Sequence, residues 1–85
     1  MEILYTKQAR KDYEKLKNNK VLFRKAIKLL EIISGNPYQN PPAYEKLMGE
    51  LQGAYSRRIN KQHRLVYRVV EDEIWVISMW THYEF

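Results

Sequence analysis

Apolar residues change their spacing along the chain, and each change marks a predicted element. Met1–Tyr5 is a short apolar run that predicts a strand, and Thr6 is suited to cap a helix because its hydroxyl can accept an orphan backbone N–H. Over Lys7–Lys17 the apolar residues recur at helical spacing with charged residues between them, which predicts an amphipathic helix. Its apolar positions are Ala9, Tyr13 and Leu16.

A second helical stripe follows the break at Asn18-Asn19. Its apolar positions are Leu22, Ala26, Leu29, Leu30 and Ile33. The stripe ends at Gly35-Asn36-Pro37, a sequence typical of a helix C-terminus. All three prolines lie in Asn36–Pro42, and this predicts a loop because proline fixes φ and lacks an N–H donor. We therefore expect two helices in a hairpin, followed by a loop.

Strand-like alternation dominates the second half of the chain. After an irregular turn around Leu47 and Leu51, the stretch Ala54–Val70 alternates on both sides of a polar break at Asn60-Lys61-Gln62, as a β-hairpin should. A polar turn then precedes a last predicted strand, Ile74–Tyr83. The predicted fold is α+β in the order β-α-α-β-β-β. It is an antiparallel sheet, joined by the first strand, with the helix hairpin packed on one face and the other face open to solvent.

Composition limits the classes of protein and partner. The 85 residues, 45% of them apolar, suit one domain spanning 1–85. Fifteen basic against ten acidic residues, a net charge of +5, favour an anionic partner such as RNA or an acidic protein. Without cysteine there is neither a disulfide nor a thiolate metal site. No apolar run approaches the ~20 residues of a membrane span, and no signal peptide is recognisable, so we expect a cytoplasmic protein.

The hairpin Ala54–Val70 carries five of the fifteen lysines and arginines and no acid. Strand alternation puts Leu65 and Tyr67 on one face, the better candidate for packing on the helices. Arg64 then faces solvent beside Arg58 of the neighbouring strand. Two guanidinium groups fixed side by side match phosphate oxygens, which predicts a phosphate-binding site. The alternative is that these arginines only form the solvated surface of a basic sheet.

Few other residues suit acid–base chemistry. His63 lies in or beside the hairpin turn, where a histidine most often packs its ring as an ordinary polar residue, and His82 lies near the end of the last strand. No metal-ligand spacing, phosphate loop or serine triad is recognisable, so neither a metal nor a cofactor is expected. An arginine pair, a histidine and a nearby glutamate would suffice for metal-free RNA cleavage.

Four segments form a pattern that a known family shares. They are Glu45-Lys46-Leu47, Leu-Gln-Gly-Ala-Tyr-Ser-Arg-Arg-Ile at 51–59, His-Arg-Leu-Val-Tyr at 63–67, and the terminal His82-Tyr83. In these segments, and in length and element order, the chain resembles the YoeB (Txe) toxins of the RelE superfamily of toxin–antitoxin systems. The resemblance implies a microbial-ribonuclease-like fold and a metal-independent, ribosome-dependent endoribonuclease that cuts messenger RNA in the A site and inhibits translation.

The resemblance also implies residue roles and partners. The family's general base matches Glu45, its transition-state arginine matches Arg64, and its general acid matches His82. A further phosphate-contacting arginine matches Arg58, and Tyr83 matches the tyrosine that closes the site. Besides messenger RNA on the ribosome, the implied partner is a YefM-type antitoxin whose acidic disordered segment covers the basic groove. The oligomeric state stays open, with a homodimer among the alternatives.

Two positions depart from the family pattern. Many relatives carry a lysine three residues beyond the glutamate, where this chain has Met48, and Lys46 is the cation that could replace it in phosphate binding. The chain also adds Glu84 and Phe85 after the tyrosine, and we expect Glu84 to pair with protonated His82 and favour its acid form.

Two functions from other classes stay open at this point. A non-catalytic RNA- or ribosome-binding module would use the same basic face, and Glu45 and His82 would then be only structural. A protein-interaction domain would use that face to capture an acidic peptide without any dependence on RNA.

Overall fold

Two helices and a five-stranded sheet make up residues 1–80, the part of the chain that the computed structural model describes. In chain order the elements are β1 (Glu2–Tyr5), α1 (Lys7–Leu16), α2 (Lys20–Gly35), β2 (Glu45–Lys46), β3 (Ala54–Arg58), β4 (Arg64–Val70) and β5 (Glu73–Ser78), with a 3₁₀ turn at Gly49–Leu51. The predicted α+β class and order are confirmed, with one addition. The two-residue strand β2 was not predicted, because two exposed residues are too few to show alternation.

Both helices begin at side-chain caps. Thr6 Oγ1 accepts the Ala9 N–H at 3.1 Å, as predicted, and Asn19 Oδ1 accepts the Leu22 N–H at 3.2 Å. The Thr6 hydroxyl also donates to the Ile77 carbonyl at 2.8 Å, which ties the start of α1 to β5. Of the helices in residues 1–80, neither has the length and apolar character needed to cross a membrane.

The sheet is mixed rather than purely antiparallel, which corrects one detail of the predicted architecture. Its strand order is β1-β5-β4-β3-β2, and β1 runs parallel to β5 while the other neighbours are antiparallel. No turn joins β1 to β5, so no local sequence signal sets their relative direction. The parallel pairing extends to the helix start, where the Thr6 N–H donates to the Val76 carbonyl at 3.0 Å.

The helices pack on the face of the sheet that strand alternation predicted. Leu65 and Tyr67 of β4 are fully buried there, with Ile74 and Val76 of β5. All five predicted apolar residues of α2 are buried in the same core. On α1, Ala9 and Leu16 are buried and Tyr13 packs partly against the core, as predicted.

The opposite face of the sheet is partly covered, not fully open as expected. Leu47, Ala54 and Val66 form a second, smaller buried cluster, against which Leu51 and Ile77 pack. Leu47 is held there by its N–H, which donates to the Ala54 carbonyl at 2.9 Å. Solvent therefore reaches this face mainly beyond the cluster, where β2, β3 and β4 meet.

The last strand ends earlier than predicted. β5 stops at Ser78, and the buried carboxylate of Asp12 accepts the next two backbone N–H groups, from Met79 at 2.9 Å and from Trp80 at 3.3 Å. These two N–H groups therefore donate to a side chain of α1 and not to a neighbouring strand. The remaining residues of the predicted strand, 81–83, lie outside the described residues.

Candidate active site

A cleft of about 200 Å³ opens where β2, β3 and β4 meet on the face turned away from the helices. We call it the arginine cleft; it is lined by Pro42, Ala43, Tyr44, Glu45, Ser56, Arg58 and Arg64. Glu45 of β2 is the cross-strand partner of Ser56, and Arg58 is the partner of Arg64. Residues directly opposite each other share a face of a sheet, so strand pairing alone brings the carboxylate and both cations to one surface.

Arg58 and Arg64 lie side by side, as strand alternation predicted. Arg64 is the more buried of the two, with its side chain 15% exposed, and its Nη1 lies 3.4 Å from Ser56 Oγ and 3.5 Å from a Glu45 carboxylate oxygen. Arg58 is exposed, and within residues 1–80 its side chain makes no hydrogen bond or ion pair. One guanidinium is therefore held in place and the other is open to a ligand.

The ion pair between Glu45 and Arg64 is weak. Its 3.5 Å separation exceeds the usual 2.7 to 2.9 Å of charged hydrogen bonds, and the Glu45 side chain is 54% exposed. Exposed pairs of this kind contribute about 0 to 1 kcal/mol. A phosphate group that replaces Glu45 beside Arg64 therefore breaks only a weak contact and leaves the Glu45 carboxylate able to accept a proton.

Arg57 is a site-forming residue that the sequence interpretation missed. Its guanidinium is buried and donates to carbonyls of the loop between α2 and β2, residues 36–44, which we call the proline loop. This loop supplies three lining residues of the arginine cleft. The available signal was the position of Arg57 on the core-facing side of β3, between Tyr55 and Ile59, where a charged residue is unusual.

The structure places Lys46 and Met48 away from the cleft lining. Lys46 pairs with Tyr55, so strand alternation puts it on the face opposite to Glu45. Met48 is 78% exposed on the segment after β2. In the described structure the two cations that line the arginine cleft are thus Arg58 and Arg64.

His63 packs its ring in an ordinary structural contact, as predicted. It is buried and stacks on Trp80 with 4.1 Å between ring centroids, and its Nδ1 lies 2.7 Å from the Trp80 carbonyl oxygen. Because a carbonyl can only accept, Nδ1 carries the proton in this hydrogen bond. Trp80, the last described residue, therefore packs against His63, which immediately precedes Arg64.

The other predicted site residues, His82 and Tyr83, lie outside the described residues, as does the expected pairing of His82 with Glu84. Among residues 1–80, no three His, Cys, Asp or Glu side chains come together as a metal site requires.

A second groove, of about 370 Å³, adjoins the arginine cleft at Pro42 and Arg58. Its remaining lining residues are Lys25, Lys28, Leu29, Ile32 and Ile59, which gives it an apolar floor and cations at its rim.

This fold and basic cleft define a class of small bacterial toxins. The structure resembles the YoeB/ParE toxin from Agrobacterium tumefaciens with a TM-score of 0.91 and 30% identity, covering 98% of this chain and 100% of that one. It also resembles the YoeB-YefM complex from Staphylococcus aureus (TM-score 0.86, 40% identity, 98% of each chain) and the YoeB dimer from the same organism (TM-score 0.83, 38% identity, 98% of each chain).

Within that class, the chain belongs to the YoeB family of the RelE superfamily, as its sequence pattern suggested. The family model described as "YoeB-like toxin of bacterial type II toxin-antitoxin system" matches residues 5–83. Toxin YoeB of Synechocystis sp. is 34% identical over 85 residues, which cover 99% of each chain.

Proposed function

We propose that this protein is a metal-independent endoribonuclease that cuts messenger RNA in the ribosomal A site and thereby acts as the toxin of a toxin–antitoxin pair. The observation that carries the proposal is the arginine cleft, where a weakly held carboxylate lies 3.5 Å from one of two neighbouring guanidinium groups. A base beside two phosphate donors is the minimum set for attack by a ribose 2′-OH on the adjacent phosphorus.

The reaction is a transesterification in which Glu45 acts as the general base. Its carboxylate accepts the 2′-OH proton as the 2′-oxygen forms a bond to phosphorus and the bond from phosphorus to the 5′-oxygen breaks. His82, two residues beyond Trp80, donates a proton to the leaving 5′-oxygen. The products are a 2′,3′-cyclic phosphate and a 5′-hydroxyl, so protons and bonds balance without water, metal or cofactor.

Arg64 and Arg58 hold the phosphate through this step. Arg64 is the more buried of the two and is the better placed to stabilise the charge that develops on the non-bridging oxygens, because a preorganised donor needs little reorganisation in the transition state. Within residues 1–80 the Arg58 side chain has no hydrogen bond or ion pair to break, and it binds the phosphate in the ground state. Tyr83 closes the site, as the family pattern implies, and Lys46 contributes only if it reaches around the edge of the sheet.

The partner that controls this activity is a YefM-type antitoxin with an acidic disordered segment. The S. aureus relative forms such a YoeB-YefM complex, and the +5 charge of this chain suits an acidic segment that folds over the arginine cleft. Homodimerisation is proposed on the same basis, from the S. aureus YoeB dimer. Action on translating ribosomes places the protein in the cytoplasm.

Cleavage of a ribosome-bound message tests the proposal. Ribosomes carrying a defined message with an empty A site are mixed with wild-type protein or with Glu45→Gln, and new 5′ ends are mapped by primer extension. Removing the base should slow cleavage by about 10²- to 10⁴-fold. Glu31→Gln, which neutralises an exposed carboxylate on α2, is the matched control and should cut at the wild-type rate.

Two results would contradict the proposal in different ways. If wild-type protein inhibits translation while the message stays intact, the protein is a binding module and not a nuclease. If Glu45→Gln cuts as fast as Glu31→Gln, the protein is a nuclease but Glu45 is not its base.

A further inference from the structure

We propose that Arg57 is a positioning residue, whose buried guanidinium holds the proline loop and thereby fixes the position of Glu45 in the arginine cleft. The side chain itself lies in the core and touches no substrate. Its effect on rate rests on the proposed function, whereas its effect on the loop can be measured without any reaction.

Each of the three nitrogen atoms of the Arg57 guanidinium donates a hydrogen bond inside the protein. Nη1 donates to the Pro42 carbonyl at 2.6 Å, and Nη2 donates to the carbonyls of Pro37 and Gln39 at 3.1 and 2.9 Å. Nε donates to the Tyr67 hydroxyl at 3.1 Å. A single side chain on β3 therefore binds the proline loop at both Pro37 and Pro42. A shorter or unbranched cation cannot reach both carbonyls at once.

Aromatic rings complete the environment of this cation. The Arg57 guanidinium carbon lies 4.9 Å from the ring centroid of Tyr44 and 6.0 Å from that of Tyr67. Such cation–π contacts strengthen when the pair is shielded from water. Tyr44 is the residue immediately before Glu45, so the guanidinium contacts the chain up to the point where β2 begins.

Tyr67 supports the same loop from β4. Its hydroxyl donates to the Pro37 carbonyl at 2.6 Å, while its oxygen accepts from Arg57. Burial raises the pKa of the Tyr67 phenol above its ordinary value, although Arg57 acts in the opposite direction. The phenol is therefore neutral at physiological pH and keeps the proton that it donates to the loop.

The position of Glu45 depends on this support because its own strand is short. β2 consists of two residues at the edge of the sheet, and both are exposed. Within residues 1–80, the 3.5 Å ion pair with Arg64 is the only hydrogen bond or ion pair of the Glu45 side chain, and it is too weak to fix a carboxylate. The loop that enters β2 must supply the remaining constraint, and Arg57 is the side chain that anchors that loop.

The test compares Arg57→Lys with Arg68→Lys. The first variant keeps the positive charge but cannot reach three carbonyls and a hydroxyl together. The second makes the same change on the neighbouring strand, where Arg68 donates to the Gln52 carbonyl at 2.8 Å and holds a different turn. Tyr67→Phe removes a single hydroxyl from the Arg57 cluster and serves as a milder variant in case Arg57→Lys does not fold.

Hydrogen exchange reports on the loop directly. The amides of Gln39 and Leu47 donate to the carbonyls of Asn36 and Ala54, so their exchange is slowed as long as the loop and β2 stay in place. Arg57→Lys should accelerate both by about tenfold or more, and Tyr67→Phe should do so by less, with the β4–β5 ladder unchanged. Unchanged exchange at these two amides in Arg57→Lys overturns the proposal, whether or not the protein cuts RNA.

Cleavage kinetics then separate positioning from a loss of folded protein. Misplacing the base should lower kcat about 10- to 100-fold and leave KM within about threefold, because Arg58 and Arg64 still bind the phosphate. The loss of kcat should persist when a stabilising osmolyte restores full folding, and Arg68→Lys should match wild type. A deficit that the osmolyte abolishes, or one that Arg68→Lys shares, contradicts the positioning role. If wild-type protein does not cut at all, the proposed function fails, and hydrogen exchange alone decides whether Arg57 holds the loop.

Discussion

At the scale of single residues, two buried charged side chains hold segments of backbone. Arg57 holds the proline loop through the carbonyls of Pro37, Gln39 and Pro42. Asp12 accepts the N–H groups of Met79 and Trp80 at the end of the described residues. Each charged side chain therefore holds, by hydrogen bonds, a stretch of backbone that lies outside the helices and strands.

The sequence does not reveal the hydrogen-bond partners of either residue, although the core-facing position of Arg57 in the alternation of β3 is an unusual one for a charge. Charged residues are almost always exposed unless they are paired, so a sequence interpretation assigns them to the surface by default. Asp12 lies one position before Tyr13 and interrupts the expected apolar face of α1. Both residues bond to backbone groups distant in sequence, 67 residues away for Met79, and such pairings leave no periodic signal.

Asp12 should contribute strongly to stability through its hydrogen bonds to Met79 and Trp80. Asp12→Ala leaves the buried Met79 N–H and the partly buried Trp80 N–H without their acceptor, so we expect the free energy of unfolding to fall by about 2 to 3 kcal/mol in chemical denaturation. Glu14→Ala, in the same helix, removes an exposed ion pair with Lys17 and should cost within about 0.5 kcal/mol. Equal losses in the two variants would show that the Asp12 hydrogen bonds contribute little.

At the scale of elements, the sequence predicted the two helices, the central hairpin and the face that packs on the helices. Those features depend on local periodicity, and the hairpin turn also fixes which strands pair. Three features were missed or wrong: the strand β2, the parallel direction of β1 and the end of β5. Each is decided by contacts between distant parts of the chain, which periodicity does not record.

The β3–β4 pairing carries an energetic cost that points to an anionic ligand. Arg58 and Arg64 are direct cross-strand partners, at which Cα atoms are separated by about 4.5 to 5.5 Å. Like charges placed directly opposite each other destabilise a sheet. An arrangement that costs stability in the free protein is favourable when a phosphate lies between the two cations.

Arg58→Gln should therefore stabilise the free protein while weakening its binding to RNA. We expect the free energy of unfolding to rise by about 0.5 kcal/mol, because one of two opposed charges is gone. RNA affinity should fall, with a shallower dependence on salt. Arg68→Gln is the control, since Arg68 opposes Ala54 and Trp75 rather than a cation, and it should give no stabilisation. A destabilised Arg58→Gln variant would mean that the arginine pair is not under repulsion.

At the scale of the whole molecule, the fold brings several of the basic side chains together around the arginine cleft and the groove beside it. The net charge of +5 predicted an anionic partner but not where it binds. The structure gathers Arg58 and Arg64 with the lysine-rimmed groove on adjacent openings that share Pro42. Geometry alone would not have selected Glu45 from the sequence; its resemblance to the YoeB family did, and the structure shows how a carboxylate after the proline loop comes within 3.5 Å of Arg64.

The chemistry of the cut is the most direct test of this site. A message with a single 2′-deoxynucleotide on the 5′ side of the cleaved bond, placed in the A site, retains its phosphate and base but lacks the attacking hydroxyl. We expect wild-type protein to leave this message uncut at that bond, while the all-ribose message gives fragments with a 5′-hydroxyl and a 2′,3′-cyclic phosphate. Cleavage of the deoxy-substituted bond at the all-ribose rate would contradict 2′-OH attack, and with it the assignment of Glu45 as the base.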